Sequence, residues 1–271
     1  MSEIFGSNAY SPAQIATLVD TIGVKKAAMP LLSQLMLGLL AGAFIGLGAM
    51  LFVLVKSDAT LSFAHSQLLG GLAFCLGLIL VIVAGAELFT GNNLIVMAWA
   101  DNKISLYELL RNWTIVCTAN LIGAAGMATL VFLSGHPLMN NGAIAEQYLH
   151  IAAAKTDLSN TAMIFRGILC NVLVCLAVWM TIAGKTVTDK VIAVIFPITG
   201  FVAAGFEHSV ANMYFYPMAL FIQHFSILET VGSLITFWDF MRNLLFVIIG
   251  NLIGGAVFVG LVYHVIYQRK N

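Results

Sequence analysis

Residues 204–213 read "AGFEHSVANM", and residues 84–93 read "AGAELFTGNN". Set one beneath the other, 120 residues apart, they share Ala-Gly-x-Glu and an asparagine five residues beyond the glutamate. Each puts a carboxylate, Glu87 or Glu207, into a strongly apolar region, and the later stretch adds His208 beside it. If the two stretches are one device used twice, the chain is built from two halves.

The pairing continues on both sides. "RNWTIVCTANLIGAA" from Arg111 matches "RNLLFVIIGNLIGGA" from Arg242, and "LGLLAG" at Leu37 aligns more weakly with "RGILCN" at Arg166. Three matches in the same order define halves of about residues 30–133 and 160–267. Each half holds three spans, an odd number, so the second half enters the bilayer from the opposite face. The predicted fold is an all-α integral membrane protein with six transmembrane helices in two inverted three-helix repeats. The second and fifth helices are broken at Ala-Gly-x-Glu, as in transporters whose interrupted helices meet near the midplane.

Composition requires lipid as the solvent. The chain has 271 residues, 61% hydrophobic and only 9% charged, with a mean hydropathy of +0.98, outside the usual range for a soluble globular protein. Uncharged runs cover residues 27–55, 59–86, 112–145, 167–184 and 243–268, and two shorter ones, 191–206 and 209–228, flank Glu207. A helix needs about 20 residues to cross a bilayer. Cys75, Cys117, Cys170 and Cys175 all lie in apolar runs without zinc-type spacing and read as small buried hydrophobes, so no disulfide framework or metal site is expected. Zero net charge and the lack of a basic tract argue against nucleic acid as a partner. Met1 leads into a polar segment, not a basic patch and a short apolar core, so no cleavable signal peptide is expected.

With six crossings, Lys25, Lys26, Lys103, Arg111, Lys185, Lys190, Arg269 and Lys270 fall on one side, against Lys56, Lys155, Arg166 and Arg242 on the other. The excess places both termini in the cytoplasm. Residues 1–28 form a cytoplasmic segment ahead of a pore domain at 29–271. In that segment Ser11, Pro12 and Gln14 make a helix start, and Ile15, Leu18, Val19 and Ile22 share one stripe, which predicts an amphipathic helix on the membrane surface.

In hydrocarbon a helix can be interrupted only where protein or trapped water satisfies the freed backbone groups. In "ELFTGNN", Thr90 is placed to cap a new half-helix at Asn92, and Gly91 permits positive φ. Two jobs suit Glu87 and Glu207: accepting hydrogen bonds from loop donors freed by the break, or relaying protons. His208 is an ionisable group at membrane depth, a candidate functional site on that ground, and it titrates near neutral pH. His65, His136, His150, His224 and His264 sit at span ends or in loops and receive no role.

"AGFEHSVANM", "AELFTGNNLIV", "GILCNVLVCLAVW" from Gly167 and "GNLIGGAVFVGLVY" from Gly250 together resemble the formate/nitrite transporter family, nearest its bacterial formate-conducting members. The resemblance covers nearly the whole chain. It implies an aquaporin-like inverted-repeat fold, a homopentamer with one pore per protomer, no cofactor, and residence in the bacterial inner membrane. By similarity the pore histidine is His208, the threonine facing it Thr90, the paired asparagine Asn171 and the vestibule lysine Lys155. The narrow points fall on Phe74, Leu78 and Phe201 towards the periplasm and on Leu88, Phe89 and Val174 towards the cytoplasm. Asn212 supports the second break with Glu207.

Stripping a small carboxylate of water costs tens of kcal/mol in the Born limit, so the cost must be met in stages. The expectation is that Lys155 gathers anions. Backbone N–H groups at the breaks, with Thr90 and Asn171, replace part of the hydration shell, and protonated His208 hands a proton to formate, an acid with a pKa of about 4. Nitrite, hydrosulfide, lactate and acetate are rival small anions. A water or ammonia channel is a different class: the chain has no Asn-Pro-Ala box. An intramembrane hydrolase is a third, disfavoured because adjacent His208 and Ser209 point apart and no Gly-x-Ser-x-Gly motif is present.

Overall fold

The computed structural model describes residues 8–225 and 234–268, which are helical apart from turns, bends and one isolated bridge between Ala9 and Gly184. The basic pair Arg269 and Lys270 lies outside the described residues. Among the described residues, five helical stretches are long and apolar enough to cross a membrane: Leu31–Lys56, Phe63–Gly85, Leu106–Leu133, Asn160–Ala183 and Phe237–Tyr267. Here α2 is Leu31–Lys56, α3 is Phe63–Leu80, α5 is Leu106–Leu133, α7 is Asn160–Ala183 and α10 is Phe237–Leu252. The last of these runs through a π-helical stretch into α11, Val262–Tyr267. Two shorter helices, α8 (Val187–Ala203) and α9 (Ser209–His224), stand on either side of Glu207.

The breaks fall where the repeat puts them, by a mechanism the sequence reading misassigned. Helix α3 gains one π turn, Val81–Gly85, and stops at Gly85 with φ of +87°; the chain leaves α8 through Gly205 with φ of +70°. A side chain at either position would be strained, so the glycine of Ala-Gly-x-Glu ends the helix. Gly91 instead opens a 3₁₀ turn, Gly91–Ile95, leading into α4, Val96–Ala100. Thr90 already has helical φ/ψ and caps nothing with its side chain.

Glycine also sets the spacing between the long helices. A Cβ on Gly123 of α5 would lie 2.0 Å from the Leu39 carbonyl of α2, and one on Gly250 of α10 would lie 2.3 Å from the Ile164 carbonyl of α7. The α2/α5 and α7/α10 pairs are thus packed backbone to backbone in each half, as small residues permit in a membrane.

Two surface helices complete the halves: α1 (Pro12–Ala27) ahead of α2 and α6 (Ala143–Thr156) ahead of α7. Helix α1 begins with the expected Ser11/Gln14 capping box and buries Ile15 and Val19, with Leu18 and Ile22 half-buried. It also buries Asp20 completely, against Lys103 of the α4–α5 loop.

Candidate functional site

Around the two breaks the same hydrogen-bond pattern is drawn twice. Glu87 gives one oxygen to Lys26 at 2.9 Å and the other to Asn92 Nδ2 at 2.7 Å; Glu207 gives one to Lys155 at 2.8 Å and the other to Asn212 Nδ2 at 2.7 Å. The two asparagine amides then donate on to Asn112 Oδ1 at 3.0 Å and to Asn243 Oδ1 at 2.6 Å. Behind each break a further asparagine holds the backbone. Asn120 donates to the carbonyls of Gly38 (2.7 Å) and Glu87 (2.9 Å) and accepts from Phe89 N–H (2.9 Å). Asn251 donates to those of Gly167 (2.9 Å) and Glu207 (3.0 Å) and accepts from Ser209 N–H (3.0 Å). The loop backbone freed by the breaks is therefore satisfied by Asn120 and Asn251. The glutamates, 5% and 3% exposed, instead bind a lysine and a half-helix amide. A buried carboxylate needs such a partner set to stay charged.

His208 and Thr90 join the two breaks. Nδ1 of His208 accepts from Ala211 N–H at 3.1 Å and caps α9. The neutral ring therefore carries its hydrogen on Nε2, which lies 3.0 Å from Thr90 Oγ1 and donates to it. The ring stacks on Phe201 with centroids 5.8 Å apart.

Three cavities follow one another past this pair. A vestibule of about 220 Å³ is lined by Lys56, Gln67, Lys155, Arg166 and Glu207 and is closed below by Phe74, Phe201 and His208. The two phenylalanine rings meet edge to face at 5.9 Å. Next comes a central chamber of about 10 Å³ whose walls are apolar except for His208; that is room for one water at most. Leu78 and Leu88 divide it from a third cavity of about 70 Å³, bounded by α1 and bearing Lys26 and Asn92.

Most of the expected residues meet here. Phe74, Leu78, Leu88, Val174, Phe201 and His208 all wall the central chamber, and Lys155 lines the larger vestibule. Phe89 does not: it lines a separate groove with Trp113, Cys117 and Ile248, while its backbone N–H donates to Asn120. Asn171 lies behind the first break, where Nδ2 donates to Asn93 Oδ1 and to the Asn251 carbonyl, each at 2.7 Å, and to the Thr90 carbonyl at 3.3 Å. Sequence reasoning missed Lys26 as the partner of Glu87, and Asn112, Asn120, Asn243 and Asn251. The asparagines stood in the Arg-Asn and Asn-Leu-Ile-Gly matches that defined the repeat.

Comparison with known proteins gives the family and the fold. The family description Formate/nitrite transporter matches residues 13–265. The chain is similar to the uncharacterized transporter YrhG of Bacillus subtilis (strain 168), with 42% identity over 264 residues, covering 96% of this chain and 94% of the relative. It is similar also to formate channel FocA of Escherichia coli (strain K12), with 40% identity over 271 residues, covering 96% and 95%. Among solved structures, a pentameric formate channel with formate bound superposes with a TM-score of 0.80 at 36% identity, covering 88% of this chain and 98% of that one. The aquaglyceroporin from Plasmodium falciparum gives 0.50 at 17% identity over 86% of this chain and 99% of its own, a likeness of fold alone.

Proposed function

The chain belongs to the formate/nitrite transporter family, and on that premise we propose that it conducts formate in both directions across the bacterial inner membrane. Membership makes it a channel or transporter and not an enzyme. In this reading six crossings form each pore, with α8 and α9 together making the fifth. Five protomers assemble, each with its own pore, and both termini face the cytoplasm. Support for the substrate and the pentamer comes from the relatives and from the formate-bound neighbour.

The observation that carries the mechanism is the placement of His208, the one polar side chain on the wall of the central chamber, at the boundary with the cation-bearing vestibule. Anions collect in the vestibule. Passing the phenylalanine pair requires Phe74 and Phe201 to part, since the chamber holds no more than a water. Beyond them the anion meets the imidazole in an apolar space where an uncompensated charge is costly. Charging the ring puts a hydrogen on Nδ1 and breaks the Ala211 N–H cap. Passing one of the two ring protons to formate leaves the imidazole neutral and frees neutral formic acid to cross Leu78 and Leu88. The cap re-forms once the remaining ring hydrogen is on Nε2. Without a proton on the ring, the anion crosses as such and the flow is passive.

The test is formate flux into proteoliposomes over external pH 5 to 7.5, against protein-free liposomes, for wild type and His208→Asn. Asparagine keeps a cap acceptor but cannot titrate. Other charges facing the ring are Glu207 beside it, Lys155 on α6, Arg166 on α7 and Lys56 at the end of α2, so the slope is compared at one ionic strength. Wild-type uptake is expected to rise as pH falls, and the variant to lose that slope. A variant that kept it would remove the proton hand-off. Competition by nitrite in the same assay separates the two substrates.

A further inference from the structure

Lys155 is the conspicuous cation of the larger vestibule, but its charge is already matched. Its ammonium lies 2.8 Å from Glu207, and the two side chains are 14% and 4% exposed. At such range an opposite pair presents little net field to a distant ion. Lys26 stands in the same relation to Glu87 on the other side of the chamber, at 2.9 Å. Two other cations line the larger vestibule. Lys56 donates to Gln67 Oε1 at 3.0 Å, and Arg166 reaches across the second break to the Gly205 carbonyl at 3.4 Å. Among the described residues, no carboxylate lies within salt-bridge distance of either. The smaller cavity has no charged lining residue besides Lys26.

The internal repeat supplies a control. Arg166 corresponds to Leu37: the Glu207 N–H donates to the carbonyl of Arg166 as the Glu87 N–H does to that of Leu37. The backbone job is the same in both halves, so the guanidinium is not needed for it. It is an addition made at one mouth only.

We propose that Lys56 and Arg166 form an outer anion site in the larger vestibule, taking a small monocarboxylate between an ammonium and a planar guanidinium, and that this site makes capture one-sided. The inference rests on the reading of the chain as a formate pore. Both groups keep donors beyond those used on Gln67 and Gly205, and a guanidinium can bind a carboxylate with two N–H groups. An unpaired charge pair at a recessed mouth raises the local anion concentration by about tenfold or more at low salt. The effect fades once the Debye length falls to about 3 Å near 1 M. Lys155, paired with Glu207, holds the second break in place and adds little to the collecting field.

The experiment is formate current in planar bilayers at about pH 8, where by the proposed mechanism formate crosses as the anion and carries charge, with formate added on one side at a time, at about 20 mM and about 500 mM background salt. Wild type is compared with Lys56→Gln/Arg166→Gln and with the charge-keeping Lys56→Arg/Arg166→Lys. The expected result is a half-saturating formate concentration about tenfold higher in the glutamine variant, at low salt, from the Lys155 side only. The charge-keeping variant stays near wild type. Unchanged current from the Lys26 side shows that the pore is folded. Equal half-saturation in all three proteins, or a shift of the same size from both sides, overturns the outer site. A wild-type protein that carries nitrite but no formate overturns the formate reading instead, and the same sidedness measured with nitrite then upholds the charge assignment.

Discussion

Replacing Asn120 with leucine tests whether the breaks are held as described. The side chain is fully buried and makes three hydrogen bonds: to the carbonyls of Gly38 and Glu87, and from Phe89 N–H. Leucine has similar volume and no polar atom, so the substitution removes the bonds without opening a large cavity. The Gly38 carbonyl lies inside α2 and keeps its helical partner. The Phe89 N–H and Glu87 carbonyl lose the partner seen here. A buried backbone group left without one costs about 1–3 kcal/mol, so the pair sets an expected loss of about 2–6 kcal/mol, eased by the burial leucine recovers. Taking about 3 kcal/mol as the net, the melting temperature in detergent should fall by roughly 6–12 °C. Formate flux should fall with it as Leu88 leaves the chamber wall. The mirrored change, Asn251→Leu, removes three equivalent bonds and should cost a similar amount. A shift below about 2 °C with normal flux would refute the account, because the loop would then be held by something else.

Thr90→Val keeps shape but takes away the oxygen that His208 Nε2 faces at 3.0 Å; flux should drop about 10- to 100-fold, on a hydrogen bond of about 1.5–3 kcal/mol to a group that becomes charged, while Thr90→Ser stays within a few-fold in the liposome assay. Phe201→Ala removes the ring that stacks on His208 and meets Phe74, so the rates of acetate and lactate relative to formate should rise above their wild-type ratios. Gly123→Leu forces a side chain into the Leu39 carbonyl; separation of α2 from α5 should cost at least about 1–3 kcal/mol, visible as reduced yield of assembled protein on gel filtration. Lys103→Met unpairs the buried Asp20, so trypsin should cut α1 at the exposed Lys25 faster than in wild type. In the wild-type protein Asp101, then Asp20, hold the Lys103 ammonium above the ordinary lysine range. Its contribution is therefore complete at neutral pH and is lost only as pH rises past that range.

Much of the architecture was legible because two facts about lipid constrain the sequence: spans must be apolar, and breaks must be chemically supplied. Ala-Gly-x-Glu located both breaks, and the later asparagine of the motif does bind the glutamate in each half. What could not be read was the direction in which hydrogen bonds run. The motif shows that Glu87 and Asn92 lie near a break, but nothing in it says that a lysine from a different helix completes the set. Lys26 sits 61 residues before Glu87 and read as a loop charge. Asp20, which lies off the predicted apolar stripe of α1, gave no warning of burial, since its partner Lys103 arrives from the far side of the first break. The misplacement of Phe89 has another root. A phenylalanine beside a pore loop faces the pore or not according to the local φ/ψ and χ1, which residue type does not fix, and here it lines the groove with Trp113 and Ile248.

The ion pairs at Glu87 and Glu207 have a mechanical consequence. Each fastens one break to a surface helix, the first to α1 and the second to α6, and the two helices border cavities on opposite sides of the central chamber. Lipids that thin or thicken the hydrocarbon layer shift such helices relative to one another at a cost of fractions of a kcal/mol per Å. That load reaches the half-helices through contacts of 2.9 and 2.8 Å. Acyl-chain length in the surrounding bilayer thus acts on the tightest part of the conduit without touching it, and conductance should follow membrane thickness.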